Sequence, residues 1–268
     1  MAYLYEMHLH TCRGSLCASA RGRDYIKYYL DSGYSGIFIT DHFYRGNCAV
    51  DRRLPWREWV NEFCRSFEET REEGLRRGLD VFFGWEETFE GDDYLVYGLD
   101  KDWLLEHPET KRWTRKAQHQ AVKAAGGCVI HAHPFRQHHY IREICLTPEL
   151  IDAVEVANAG NHEPYYDALA LRYAAMLGLP LSAGSDIHHV DQAEEGNLYG
   201  VYLEQKLESA ADFAAIIKNG GLRRPGDLKV ERDRLESGGD ERIDVPLKIL
   251  DRNERVKSRD FWGFCEQG

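Results

Sequence analysis

Short β-rich runs alternate with helical patterns along most of this chain, and that alternation limits the folds open to it. Runs at residues 4–8, 36–40, 80–84, 94–98, 127–132, 153–157, 179–183 and 198–203 read as strands. Between them, apolar residues at i, i+3 and i+4 predict helices over 24–32, 56–78, 111–125, 163–177 and 209–219. The pairs Gly126-Gly127 and Gly220-Gly221 suit left-handed helix ends, and Pro180 cannot continue the helix before it. Strands alternating with helices build parallel βαβ units. Seven or so such units close into an α/β barrel of the TIM type; an open sheet is the other arrangement that the pattern allows.

After Leu222 the character changes. Residues 223–242 are charged and glycine-containing, 244–250 read as a short strand, and Phe261, Trp262 and Phe264 offer apolar pins. The expectation is a barrel domain over 1–222 and a C-terminal appendage, 223–268, packed on it. The 43% hydrophobic content of the 268 residues is ample for a buried core and excludes disorder as the main state. Lys and Arg number 34 against 45 Asp and Glu, a net charge of −11 that argues against a nucleic-acid duplex as partner. It leaves open a small anionic substrate held by a metal. MAYLYEMHLHT lacks the basic and apolar regions of a signal peptide, and no apolar run reaches membrane-helix length. The seven cysteines form no Cys-x-x-Cys pair, so a reduced, cytoplasmic setting is expected.

The strand ends carry the chemistry. His8 and His10 close the first strand as His-Leu-His, and residues i and i+2 of an extended chain share a face, so both imidazoles can reach one metal. Asp41-His42 follow the second strand, Glu86 follows Val-Phe-Phe-Gly-Trp, and His131 and His133 end the Gly-Gly-Cys-Val-Ile run. Asn158 follows Val-Glu-Val-Ala, and Asp186 and His188 follow Leu-Ser-Ala-Gly-Ser. In a parallel barrel these ends converge on one mouth, where catalytic residues sit. A lone histidine there is more often a hydrogen-bonded side chain; six strand ends in register form a joint signal. Imidazole with carboxylate and no thiolate cluster suits zinc, manganese or iron. Arg136, Arg21 and Arg45 are candidates to grip a phosphate, each as readily a surface arginine, and Asn158 can orient a ligand or cap a helix. No G-x-G-x-x-G, Walker A or G-x-S-x-G motif is present, and Ser185 reads as a turn serine. Trp56, Trp59 and Phe63 have the helical spacing of packing residues.

His8-Leu-His10-Thr, Thr40-Asp41-His42, Gly84-Trp-Glu86, Ala132-His133-Pro134 and Gly184-Ser-Asp186-Ile-His188 occur in the order seen in PHP (polymerase and histidinol phosphatase) domains. Over about residues 3–205 the chain resembles the small stand-alone members, which are metal-dependent phosphoesterases. The resemblance implies a distorted (β/α)7 TIM-like barrel with two or three divalent ions at the strand ends. It implies that His8, His10, Glu86 and Asp186 hold the first ion, that Glu86 bridges to a second also held by His133, and that His42 and His188 serve a third. Glu86 and Asp186 become the catalytic carboxylates; Glu87 is the neighbouring alternative to Glu86, which the Gly-x-Glu spacing favours, and His131 is strand-buried support. A metal-activated hydroxide would then hydrolyse a small phosphorylated substrate.

The chain departs from the family pattern at two places. Where trinuclear members supply a further ligand some eight residues after the first histidine stands Leu16, beside Ser15 and Cys17. The third site is then weak, empty, or completed by water or Cys17. Between Glu86 and the His-Pro motif, where a histidine is usual, His107 and His119 are the only candidates, without a motif. The alternatives are an amidohydrolase-type enzyme acting on a C–N or C–O bond, which typically needs a strand-end lysine absent here, and a non-catalytic metal-binding module.

Overall fold

The computed structural model describes residues 2–139, 141–236, 243 and 245–249, with backbone alone at Arg232 and 254–256. Its elements are β1 (Tyr3–Glu6), α1 (Gly22–Asp31), β2 (Gly36–Ile39), α2 (Trp56–Arg77), β3 (Asp80–Phe89), β4 (Asp92–Tyr97), α3 (Lys101–Glu106), α4 (Arg115–Ala124), β5 (Cys128–His131), β6 (Ile144–Leu146), β7 (Ala153–Asn158), α5 (Pro164–Leu177), β8 (Leu181–Gly184), α6 (Val190–Glu194), β9 (Gly200–Leu203), α7 (Ala210–Lys218), β10 (Leu228–Lys229), α8 (Arg232–Glu236), β11 (Leu247–Ile249) and β12 (Glu254–Val256). The main sheet runs β10-β9-β1-β2-β3-β4-β5-β7-β8. It curls until the residues after β8 meet those after β1, where Asp186 N donates to His8 O at 2.7 Å and His10 N to Ile187 O at 3.0 Å. This is the α/β, nearly closed barrel that the alternation predicts.

The strands are not all parallel, contrary to the simple βαβ reading. β1/β2, β2/β3, β5/β7 and β7/β8 pair in parallel; β3/β4, β4/β5, β1/β9 and β9/β10 pair antiparallel. For β3 and β4 the cause is a two-residue turn at Glu90-Gly91, with φ of 56° and 98°. Two successive positive φ values make a tight hairpin turn whose twist suits the flanking strands, and glycine carries the second at no steric cost. β3 therefore passes directly into β4 without a helix and extends to Phe89, five residues beyond its expected end.

The helices fall within a few residues of their expected places because their apolar faces pack on the sheet. Trp59 and Phe63 of α2 are buried and stacked at 5.0 Å against each other, with Phe43 edge-on at 5.1 Å to both. Inside the barrel, Phe38 is wholly buried at 5.1 Å from Phe82 and Tyr97 and 5.6 Å from Phe213. Beyond Leu222, β10 extends the sheet edge beside β9, α8 packs on α5, and β11 pairs with β6. Phe261, Trp262 and Phe264 lie outside the described residues. Among the described residues, no helix is long and apolar enough to cross a membrane.

Phe38→Ala removes a ring from that interior and is expected to cost about 3–5 kcal/mol, read as a lower urea midpoint. Asp167 on α5 gives a pH test. Its buried carboxylate accepts from Asn161 Nδ2 at 2.6 Å and Asn158 N at 3.3 Å, and burial, offset in part by Asn161 and Arg234, raises it from 3.8 to about 7. A folded value above the unfolded one gives stability that is full at acid pH and is lost as pH rises toward 7. Thermal melts across that window should show a shallower decline for Asp167→Asn than for the parent; parallel declines would refute the assignment.

Candidate metal centre

The barrel mouth gathers side chains from five places in the chain. His8 and His10 lie just past β1, His42 past β2, Glu86 within β3, His133 past β5, and Asp186 and His188 past β8. His8, His10, Glu86, His133 and Asp186 are buried, while the side chains of His42 and His188 keep 15% and 20% exposure and mark the open side. Glu86 is central. Its Oε1 lies 3.2 Å from His8 Nε2 and 3.4 Å from His133 Nε2; its Oε2 lies 2.7 Å from His42 Nδ1 and 3.5 Å from His10 Nε2. Asp186 Oδ1 is 3.1 Å from His10 Nε2 and 3.5 Å from His8 Nε2. The ligand atoms fall into overlapping groups: His8, His10 and Glu86; His8, His133 and Asp186; Glu86, Asp93 and His133; and His10, His42 and His188. Glu87, its neighbour along the strand, turns away to Arg45, whose Nη1 donates at 3.0 Å.

Hydrogen bonds behind the histidines fix which nitrogen faces the centre. His8 Nδ1 is 2.9 Å from Glu155 Oε1, and His188 Nδ1 is 2.9 Å from the Asp186 carbonyl. Both partners only accept, so each Nδ1 carries a proton and each Nε2 is the nitrogen left for the centre. His10 Nδ1 meets Ser15 Oγ at 3.1 Å, and that hydroxyl already donates to Asp41 Oδ1 at 2.8 Å, so it too acts as an acceptor. The inward nitrogens of His8 and His10 stand 3.0 Å apart. Both oxygens of Glu86 are buried with no hydrogen-bond donor aimed at them. Buried carboxylate oxygens ringed by imidazole nitrogens call for positive charge beside them, and imidazole with carboxylate is the donor set of a divalent transition metal. The residues fit such an ion.

The electrostatics point the same way. Burial works against the charged form of every group here. Even so, Asp186, Glu155 and Glu86 hold the His8 imidazolium well above its usual range, while burial with the neighbouring His188 and His42 pushes His10 well below it. Asp186, though buried, is kept well below the usual carboxylate range by His8 and Arg136, and Glu86 by His42 and His8. Burial and the charge of Glu86 push Asp93 the other way. A proton retained on His8 between carboxylates occupies the place that a metal would take on binding. Opposed shifts packed this tightly mark functional sites.

Two of these residues sit on strained backbone, His133 at φ 29° and Asp186 at φ 53°. Side chains rarely tolerate such values, and neighbours hold them: Glu155 Oε2 accepts from His133 N at 3.0 Å, and Asp186 N reaches His8 O. At Gly184 an added Cβ would lie 2.3 Å from His8 Cβ, so only glycine lets β8 approach this closely.

Among the substrate candidates, Arg136 reaches the cluster but is already engaged. Its Nη2 donates to Asp186 Oδ2 and Asn158 Oδ1, each at 2.8 Å, and its Nε to Asn161 Oδ1 at 2.8 Å. Asn158 in turn donates to Glu155 Oε2 at 2.9 Å. Arg21 is exposed at the start of α1. Arg45 is bound to Glu87 and the Trp113 carbonyl. His131 is buried against Tyr94, and burial lowers it to about 3. His107 stacks on Trp103 and His119 faces Asp152, both away from the cluster. Sequence reasoning missed Asp93 and Glu155. Asp93 stands on β4, opposite Thr88, in the interval where only histidines were sought. Glu155, an acid inside an apolar strand, was itself the signal. Glu155→Gln puts an amide N–H against donors that need an acceptor. Metal affinity, read by chelator competition, is expected to fall about 10–100-fold; unchanged affinity would refute its supporting role.

No model of a known protein family matches the sequence, and no curated protein matches it. Solved structures do. One is a two-domain protein from Bacteroides vulgatus containing a predicted PHP-like metal-dependent phosphoesterase, with TM-score 0.60 and 18% identity over 81% of this chain and 63% of that one. The chain thus spans under two thirds of that protein. PsfC from Pseudomonas syringae matches with TM-score 0.58 and 14% identity over 88% and 94% of the two chains. An amidohydrolase from Chromobacterium violaceum matches with TM-score 0.49 and 13% identity over 82% and 97%. At such identities the likeness is one of fold alone: the chain is a nearly closed α/β barrel like theirs.

Proposed function

We propose that this chain is a metal-dependent hydrolase, and specifically a phosphoesterase acting on a small phosphorylated molecule. The observation that carries the reading is the convergence of His8, His10, His42, His133 and His188 on Glu86 and Asp186, with inward nitrogens set by partners behind them. In this reading His8, His10, Glu86 and Asp186 hold one ion, and Glu86 shares a second with His133 and Asp93. Two or three ions of zinc, manganese or iron would be the cofactors. Bound there, they would bring the pKa of water from 15.7 toward about 7 and offset charge on phosphate oxygens.

The chain's own groups do the rest. Glu86 and Asp186 keep their negative charge because imidazolium and guanidinium neighbours favour it. Arg136 fixes Asp186, leaving that carboxylate's other oxygen, Oδ1, toward His10 and His8. Asn158 and Glu155 tie Asp186, His8 and His133 into one frame, which keeps the ligand atoms from moving apart during turnover. The barrel domain at 1–222 carries the whole candidate site; the segment from 223 reaches it through Arg234, whose guanidinium donates to the Asn161 carbonyl at 2.7 Å.

The test is elemental analysis of protein purified without chelator, with parallel assays on an aryl phosphate, an amide and a lactone. Two or three equivalents of transition metal, and phosphate-ester hydrolysis that chelator removes, are expected. Glu86→Gln and Asp186→Asn should each lose activity by a factor of 10² or more, about 3 kcal/mol in the barrier. Cleavage of amides or lactones alone would reverse the assignment, and full activity in both variants would remove it.

A further inference from the structure

Arg136 aims Asp186 at the imidazoles, and the turn between β7 and α5 aims Arg136. A Cβ built at Gly160 would lie 3.0 Å from Asn158 Oδ1 and 3.2 Å from both Arg136 Nη2 and Asp186 Oδ2, so this turn sits directly on their contact. It is braced from within: Asn161 N donates to Asn158 O at 3.0 Å, and Gly160 N to Asn158 Oδ1 at 2.8 Å. The Asn161 side chain is fixed at both ends. Its Nδ2 donates to Asp167 Oδ1 at 2.6 Å, which leaves its Oδ1 to accept from Arg136 Nε at 2.8 Å.

The group that holds the turn from outside belongs to the C-terminal segment. Arg234, on α8, donates from Nη1 and Nη2 to the Asn161 carbonyl at 2.9 and 2.7 Å. Its Nη1 also lies 3.6 Å from Asp167 Oδ2, a buried oxygen that no hydrogen-bond donor meets among the described residues. The guanidinium rests 5.9 Å from the centre of the Tyr199 ring, and its side chain is 13% exposed. A planar cation that grips one carbonyl with two N–H groups fixes that carbonyl's direction as well as its place.

We propose that Arg234 is a positioning residue for the metal centre: by holding the Asn161 carbonyl it sets the turn that aims Arg136 at Asp186, and so raises the affinity of the inner ligands for metal. The proposal rests on reading the barrel mouth as a metal centre. The effect passes from Arg234 to Asn161, from Asn161 to Arg136 and from Arg136 to Asp186 Oδ2, while Oδ1 of that carboxylate faces His10 and His8. A turn released at Asn161 lets Arg136 and Asp186 rotate, and the cost of ordering them then falls on metal binding. The segment past 222 thus contributes to the site without touching a ligand atom.

The test is zinc affinity of the full chain, read by competition with a chromophoric chelator beside the urea midpoint of each variant. Arg234→Ala is expected to weaken zinc about three- to tenfold, less than loss of a partner directly behind a ligand. Because that variant also leaves Asp167 buried without its cation, Arg234→Ala is repeated in an Asp167→Asn background, where asparagine keeps the acceptor for Asn161 and removes the charge. There the urea midpoint should recover, while zinc stays about threefold or more weaker than in Asp167→Asn alone. Zinc affinity equal in these two folded proteins would reduce Arg234 to a structural clamp and overturn the proposal, with the hydrolase reading left standing. A parent chain that takes up no zinc, manganese or iron would overturn both.

Discussion

Glu86 sets the terms for the rest of the molecule: a carboxylate, 1% exposed, with neither oxygen met by a hydrogen-bond donor. Such a group is costly to bury unless positive charge is brought to it. Here that charge comes from strand ends far apart in sequence, so the barrel must close for the cost to be met. His8 and His133 approach one oxygen, His42 and His10 the other, and Asp186 with Arg136 completes the balance. Catalytic promise and structural cost lie in the same atoms.

Behind the inner groups stands a second layer of buried acids whose work is placement. Glu155 holds a ring nitrogen of His8 and the backbone of His133 at once. Asp41 takes Thr11 N at 2.6 Å and Ser15 Oγ at 2.8 Å, and so holds the hydroxyl behind His10. Glu6 accepts from His8 N at 2.9 Å, Ser185 N at 2.8 Å and Tyr29 Oη at 2.8 Å, joining the end of β1 to the turn after β8 and to α1. Ser185 is therefore a buried anchor in that link, beside Asp186 in sequence but facing the other way. Burial pushes the Glu6 carboxyl up to about 7 and that of Asp41 to about 6.

The alternation of strand and helix was legible because burial imposes it locally: an apolar face must repeat at the period of its element. The strand-end histidines were legible for a related reason, since the first strand's His-x-His and the turn after the eighth had to face one mouth. Strand direction was harder to read. It depended on a Glu-Gly pair whose positive φ values make a hairpin, and reading 80–84 and 94–98 as separate parallel strands hid both the hairpin and Asp93. Glu155 was overlooked because a sequence names neighbours along the chain, while its partners lie 147 and 22 residues away. The engagement of Arg136 with Asp186 is likewise a matter of tertiary distance that no spacing encodes. Glu87 and Glu86 divide by plain strand alternation, one to Arg45 and one to the imidazoles.

The seam between the end of β1 and the turn after β8 also governs when the centre can exist. His8 and Asp186 stand 178 positions apart in the sequence, and the Asp186 N–H bond to the His8 carbonyl is part of what closes the barrel. Contacts of such separation form late, because the entropy of closing the chain must be met before they contribute. A growing chain that has made β1 through β7 therefore holds several imidazoles but not the aspartate that completes their set. The order of synthesis thus leaves the final geometry available only to a chain that has already closed.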